Sequence, residues 1–258
     1  MTRWVRFEQN GETAFGTLAT DGTIAIHQGN MFAAPSATGD SVALADVTLL
    51  TPTTPSKMPA LWNNYRALSE KIGSEHPEHP LYFLKAANSF APGGQVIRRP
   101  AHYDGKVIYE GELGIVIGET ASDISEAEAE AHIFGYTCIN DVTAVDLLKA
   151  DPSFEQWTRA KSFDGFGLFG PCVATGLDPD DLVIKTVLNG AKRQNYPASD
   201  MILGPMQIVS LLSRDMTLEP GDVICCGTSL GAGSMKEPSN TVDITIDGIG
   251  TLSNVYEN

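Results

Sequence analysis

The sequence predicts an α+β protein with a mixed or antiparallel sheet and a small β-rich unit at its N-terminus. Segments that read as strands outnumber those that read as helices. The two kinds do not follow the strand–helix–strand rhythm of a parallel α/β fold. Residues 3–50 alternate short apolar runs with turn dipeptides, and helical periodicity begins only after them.

Taken in order, the turn signals of the first unit are Asn10-Gly11, Asp21-Gly22 and Gly29-Asn30, which read as hairpin turns. TPTTPSKMP at 51–59 has three prolines in nine residues and reads as a linker or rigid edge. The boundary falls there, giving a unit at 1–55 and a larger one at 56–258. Residues 60–72 carry Leu61, Tyr65, Leu68 and Ile72 at helical spacing, with Gly73 as a stop. The following SEHPEHP cannot extend a helix, because Pro77 and Pro80 lack an amide donor. That loop is either a lid or an ordinary connection. KVIYEGELGIVIG (106–118) is a strand rich in β-branched residues. Ser125 and Glu128 form a capping box that opens a helix through Phe134. GYTCIND (135–141) is a strand running into a short helix entered at Thr143. A helix over 205–213 has Pro205 in its first turn. LEPGDVICCGTSLGAG (218–233) reads as turn, strand and glycine-rich loop, and TVDITIDGIGTLSNVYEN as a closing hairpin.

Composition excludes several classes of function. The 258 residues are 42 % hydrophobic and 19 % charged, ordinary values for a globular protein. The formal net charge is −15, a field that repels phosphate backbones and argues against nucleic-acid binding. The same field slows an anionic substrate unless a metal or a local lysine reverses it. No apolar run approaches the roughly 20 residues of a membrane helix. The N-terminus lacks a secretory apolar region, so the expected compartment is the cytoplasm. Cys138, Cys172, Cys225 and Cys226 form no Cys-x-x-Cys pair and read as small core residues of a reducing compartment.

Chemistry concentrates in a few places. Glu110 and Glu112 stand two apart in a strand, so their carboxylates share a face, about 7 Å apart along the backbone. Either this face is solvated or the pair binds something. Asp141 ends another strand and is followed by a further acidic residue, Asp146; a turn-forming or capping role is the alternative for Asp141. Three carboxylates without a histidine suit a hard cation, Mg²⁺, Mn²⁺ or Ca²⁺, better than zinc. Lys161 lies between Trp157 and Phe163, either as a surface side chain laid over apolar atoms or as a buried cation beside an anion. Thr228 sits in CCGTSLGAG, where glycines admit a ligand to the backbone, although the lysine of a phosphate loop is missing.

YEGELGIVIG, GYTCINDVTAVD, QWTRAKSFDGFGLFGP, DMILGPMQIVSLLS, LEPGDVICCGTSLGAG and IDGIGTLSN occur in the order seen in the fumarylacetoacetate hydrolase catalytic domain, which residues ~60–258 resemble. The resemblance implies a mixed β-roll with peripheral helices, usually a homodimer. It implies Mg²⁺ or Mn²⁺ on Glu110, Glu112 and Asp141, with Lys161 and Thr228 contacting a small-molecule 2-oxo acid substrate and serving catalysis. The implied reaction is hydrolytic or lytic cleavage of a C–C bond in a 2,4-dioxo acid, of the kind met in aromatic catabolism, through a metal-stabilised enolate. Decarboxylation of a 2-oxo diacid or enol–keto isomerisation needs the same enolate, and a non-catalytic binder of metal and keto acid is a further alternative. Three departures stand out. The family's lid often reads NYRDHAxE, where a His and a Glu activate water; here NYRALSEK places Leu68 and Lys71 at those positions. Val145 replaces the Arg of the usual NDVSARD, and Ser229 the Pro of GTP. His76 and His79, a few residues further on, are lid candidates to replace the missing base.

Overall fold

The computed structural model describes residues 1–258. The first unit is a meander of β1 (Thr2–Gln9), β2 (Glu12–Leu18), β3 (Thr23–Gln28), β4 (Ser36–Ala43) and the short β5 (Thr48–Leu49). It does not hang from a flexible tether. β1 pairs antiparallel with a strand of the larger unit, Thr2 opposite Thr175 and Trp4 opposite Val173. The proline-rich segment is bound to the body: Arg6 Nη1 donates to Thr51 O at 2.7 Å, Thr53 Oγ1 to Gly221 O at 2.8 Å, and Lys57 pairs with the buried Asp222 at 2.6 Å.

The larger unit begins with β6 (Met58–Trp62), α1 (Arg66–Ile72), β7 (Leu81–Lys85), β8 (Phe90–Ala91), β9 (Val96–Arg98), β10 (Val107–Tyr109) and β11 (Gly111–Ile117). The helix predicted over 60–72 starts at Arg66 instead, because Met58–Trp62 pairs with β7 and is buried over its first four residues. Asn63 then turns the chain with φ 56°. Gly73 ends α1 with φ 69°, a left-handed conformation that glycine adopts without steric cost. There follow α2 (Glu126–His132), capped by Ser125 and Glu128 as predicted, β12 (Ile133–Asp141) and β13 (Thr143–Ala144). The short helix expected at Thr143 is a two-residue strand followed by a single 3₁₀ turn, since Thr143 and Ala144 pair with Ile108 and Val107.

The chain closes with α3 (Trp157–Lys161), β14 (Gly167–Thr175), β15 (Val183–Leu188), β16 (Ala191–Pro197), α4 (Pro205–Asp215), β17 (Val223–Cys225), β18 (Gly233–Ser234), β19 (Ser239–Ile246) and β20 (Gly250–Glu257). Twelve strands form one mixed sheet whose main path is β4-β3-β2-β1-β14-β12-β11-β17-β6-β7; β15, β16, β19, β20 and β9 form a second, and β13-β10-β18 a third. This is an α+β architecture with few, peripheral helices, as the sequence predicts. No helix is long and apolar enough to cross a membrane.

β11 lies at the centre of the large sheet, and every residue in it is buried. Leu113, Ile115 and Ile117 enter one apolar cluster while Val116 enters another with Ile139, Phe169 and Val223. The option of a solvated glutamate face therefore does not hold. The single strand predicted over 106–118 is also divided at Glu110, with β10 in the small sheet and β11 in the large one. Gly111 is the pivot: a Cβ there would stand 2.1 Å from Thr186 Oγ1, so no other residue permits this approach.

Candidate active site

The division at Glu110 lets one carboxylate oxygen from each of Glu110, Glu112 and Asp141 lie within 4.8 Å of the other two. Glu110 leaves the break between the two sheets, Glu112 comes from β11, and Asp141 ends the neighbouring β12. Asp141 N–H donates to Glu110 O at 2.9 Å, which fixes the two segments together. Glu112 and Asp141 are 2 % and 1 % exposed, so these are charges withdrawn from water. Such burial is costly unless cations and hydrogen bonds compensate it.

Compensation comes from two lysines. Lys161, at the C-terminus of α3 and 3 % exposed, pairs with Glu110 and, at 2.5 Å, with Asp141 Oδ2. Lys85, at the end of β7, pairs with Asp141 Oδ1 and donates to Lys161 O at 2.6 Å. The two ammonium groups titrate in opposite directions. Burial opposes charge on Lys161, but Asp141, Glu110 and Glu112 together outweigh it and raise its pKa. For Lys85 burial prevails over Asp141, aided by repulsion from Lys161, and the pKa falls. Asp141 would be raised by burial, yet Lys161 and Lys85 hold it below the ordinary carboxylate range.

Glu112 receives no such help. Its carboxylate accepts one hydrogen bond, from Gly227 N–H at 2.9 Å, and neither lysine pairs with it. Burial, then Asp141, pushes its pKa well above the ordinary value. Three clustered carboxylates face two ammonium groups, so the donor set retains a negative charge and a carboxylate short of partners. All its members offer hard oxygen. The three carboxylates fit a divalent cation taken through oxygen, which Glu110, Glu112 and Asp141 would hold.

Thr228 closes another side of the site. Its hydroxyl donates to Gly111 O at 2.9 Å and accepts from Gln194 Nε2 at 2.9 Å. Gln194 Oε1 in turn accepts from Gly111 N–H at 3.0 Å, and Tyr196 Oη donates to Gly111 O. The β16 side chains thus brace both the pivot of the glutamate pair and the threonine. Thr143 Oγ1 donates to Glu110 Oε2 at 3.0 Å.

Glu110, Glu112, Lys161 and Thr228 line one cavity of about 210 Å³, roofed by residues of β6, α1 and α3. Asp141 lies beneath it, bound to both lysines. Four predicted site residues therefore meet around one space with the fifth in contact. His76 and His79 do not join them: both are exposed on the loop after α1, and neither lines the cavity, whereas Leu68 does. Asp146 is exposed and serves a turn, accepting from Lys106 N–H at 2.9 Å. Sequence reasoning missed Lys85, Gln194 and Tyr196. The period-2 pattern of LYFLK places Lys85 on the same face as Phe83, a usable sign of a buried cation. Gln194 sits in AKRQNYP, whose other polar residues hide it.

The cysteines are free and buried, as the sequence suggests. Burial raises the thiol pKa of Cys172 to about 12 and holds Cys225 well above its ordinary value.

Residues 57–256 match the family model described as fumarylacetoacetate (FAA) hydrolase C-terminal, and residues 2–52 match one described as Rv2993c-like, N-terminal. The oxaloacetate tautomerase YisK of Bacillus subtilis is 39 % identical over 202 residues, covering 74 % of this chain and 66 % of that protein. The crystal structure of 2-hydroxyhepta-2,4-diene-1,7-dioate isomerase from Mycobacterium marinum superposes with a TM-score of 0.90 at 39 % identity, covering 100 % of this chain and 98 % of the other. Fumarylpyruvate hydrolase from Pseudomonas aeruginosa, solved in complex with Mn²⁺ and pyruvate, gives a TM-score of 0.72 at 29 % identity over 80 % of this chain and 91 % of its own.

Proposed function

This chain belongs to the fumarylacetoacetate hydrolase family, and on that premise we propose that it is a divalent-metal enzyme that interconverts enol and keto forms of an acylpyruvate-type 2-oxo acid. The observation that carries this reading is a buried oxygen triad with an ammonium group at its edge, in a cavity whose lid wall presents Leu68 in place of a base. A bound Mg²⁺ or Mn²⁺ supplies Lewis-acid stabilisation to the developing enolate. Lys161 adds a fixed positive charge beside the carboxylates, preorganised by its two ion pairs. Thr228, held by Gln194, presents its hydroxyl at the same cavity. The interconversion moves one proton between the enol oxygen and the adjacent carbon, and the cavity, which reaches the surface at Trp62, admits the water that carries it. The tautomerase relative and the isomerase neighbour support this choice.

Hydrolysis or lysis of a 2,4-dioxo acid is the second reading, through the same enolate. One observation favours it: Asn63, a residue of the cavity wall, keeps a buried Oδ1 without a hydrogen-bond partner, an acceptor a water would satisfy if the wall opened. The fumarylpyruvate hydrolase neighbour lends it support. The homodimer implied by the resemblance belongs to either reading. The two are separated by following, on one metal-loaded sample, the enol–keto equilibration of an acylpyruvate and its loss by cleavage. Isomerisation faster than cleavage by about 10²-fold or more supports the first reading, an effect of the size general-base catalysis supplies. Cleavage at an equal or greater rate returns the assignment to hydrolase or lyase.

A further inference from the structure

Resting on that reading of the site, we infer that the substrate carries an uncharged, apolar tail beyond its 2-oxo acid end, accommodated by the aromatic surface formed by Trp62, Phe83 and Trp157. The charged groups that reach the cavity are Glu110, Glu112 and Lys161 alone. Lys161 is already paired with two carboxylates, so no free cation remains for a second substrate carboxylate. The rest of the wall includes Leu68, Val145 and Leu148 as well as the three aromatic residues. Its uncharged polar residues are committed: Thr143 and Thr228 donate their hydroxyls to Glu110 Oε2 and Gly111 O, and Asn63 gives its amide Nδ2 to Glu75 O at 3.1 Å, leaving an acceptor oxygen, which cannot bond an ionised carboxylate.

Size points the same way. The cavity of about 210 Å³ is smaller than the ~300–1,000 Å³ typical of a small-molecule pocket, so a substrate larger than its 2-oxo acid head must leave it. An adjoining groove of about 450 Å³ is the exit that shares walls with it, and the shared residues are Trp62, Phe83 and Trp157. Phe83 stacks on Trp157 with ring centroids 5.4 Å apart, and Trp62 meets Trp157 at 5.9 Å. Trp62 is 38 % exposed and Tyr82 37 %, leaving aromatic area open at the mouth. The acidic side chain in the groove is Glu155, whose Oε2 accepts from Trp157 Nε1 at 2.7 Å. A tail ending in a carboxylate would meet like charge there; a phenyl or alkyl tail would cover apolar surface.

The test uses the full chain loaded with Mg²⁺, and measures turnover and binding separately. For turnover, 2,4-dioxo acids of matched length ending in phenyl or in carboxylate are compared with acetylpyruvate as a short reference. For binding, quenching of tryptophan fluorescence reports N-phenyloxamate, N-carboxymethyloxamate and plain oxamate. The phenyl compound of each set should be favoured at least about tenfold over its carboxylate partner, in the range that pocket hydrophobic contacts supply. Trp62→Ala should remove most of that advantage by weakening N-phenyloxamate more than plain oxamate. Glu155→Lys, which exchanges the charge on an exposed wall, should shift preference toward the carboxylate-ended ligands. Equal or tighter binding of N-carboxymethyloxamate by the unmodified protein overturns the inference, as does a Trp62→Ala loss equal for all three oxamates. Absence of turnover on every dioxo acid would instead strike the proposed reaction, with the oxamate series still deciding the tail.

Discussion

The two sides of the cavity differ in how they are held. On the sheet side Glu110, Glu112, Asp141, Lys85 and Lys161 interlock with Gly227, Thr143 and the β16 brace, and four of the five are almost wholly buried. On the lid side the segment from Asn63 to Pro80 is tethered at its base, where Ala67 N–H donates to Asp200 Oδ2 at 3.1 Å and Arg66 to Met201 O, and is open to solvent beyond Gly73. The contrast separates two tasks. On the proposed function, enolate stabilisation would rest on fixed charges built into paired strands, and the choice among reactions of that enolate on the side chains of a lightly attached segment.

The largest expected effect lies on the sheet side. Glu112→Ala should abolish metal-dependent turnover and the rise in Tm that Mg²⁺ or Mn²⁺ produces by binding the folded state. The metal-free protein should stay folded, since the substitution removes a buried charge with a single hydrogen bond. Calorimetry finding unchanged metal affinity would break the assignment of this carboxylate.

Next in size, Lys161→Met should lower kcat/KM by about 10²–10³-fold, as for other lost electrostatic contacts in active sites. Metal-free stability should also drop, by ~3–5 kcal/mol in denaturant unfolding, because Asp141 and Glu110 lose a buried partner. Activity retained within a few-fold would show that the ion pairs serve the fold alone.

Gly111→Ala sharpens the comparison from the backbone. Its Cβ would collide with Thr186 Oγ1 and approach Gln194 Oε1 to 3.1 Å, so a loss of about 1–3 kcal/mol is expected. Adding Thr186→Ala should restore part of this. Metal affinity of Gly111→Ala should fall even where folding persists, because the pivot sets the spacing of the two glutamates.

The smallest effect belongs to the lid. Replacing His76 and His79 together by Gln should leave enol–keto isomerisation of an acylpyruvate within about threefold, since neither lines the cavity. A loss of about 10²-fold confined to acylpyruvate cleavage would show that the loop delivers a base and that the two sides cooperate in hydrolysis.

Legibility in the sequence follows the same division. Glu110, Glu112 and Asp141 could be found because their strands carry a local period and their motifs occur in a family order. Lys161 and Thr228 were visible through the resemblance more than through spacing. The break at Glu110 was not legible: beside it Gly111 lies too close to Thr186, 75 residues away, for any side chain, and no local pattern reports such an approach. Helical spacing of Leu61, Tyr65 and Leu68 misled for a similar reason, since pairing of β6 with β7 outweighs a periodicity that spans two elements. Lys85 lacked a motif, and Gln194 gains its role only from the folding of β16 beside β11.

The junction of β1 with β14 has a consequence for the chain as a material. Residues 173–175 of β14 have β12 along one side at Ala174 and β1 along the other. A protein cut back to the catalytic portion would bare the amide and carbonyl row that β1 now satisfies. Open rows of this kind template association with other chains, and natural proteins protect them. The N-terminal meander thus acts as a selvedge: it finishes the sheet with strands whose outermost member, β4, is polar and largely solvent-facing. Solubility on storage, rather than catalytic rate, is the property its removal should spoil first.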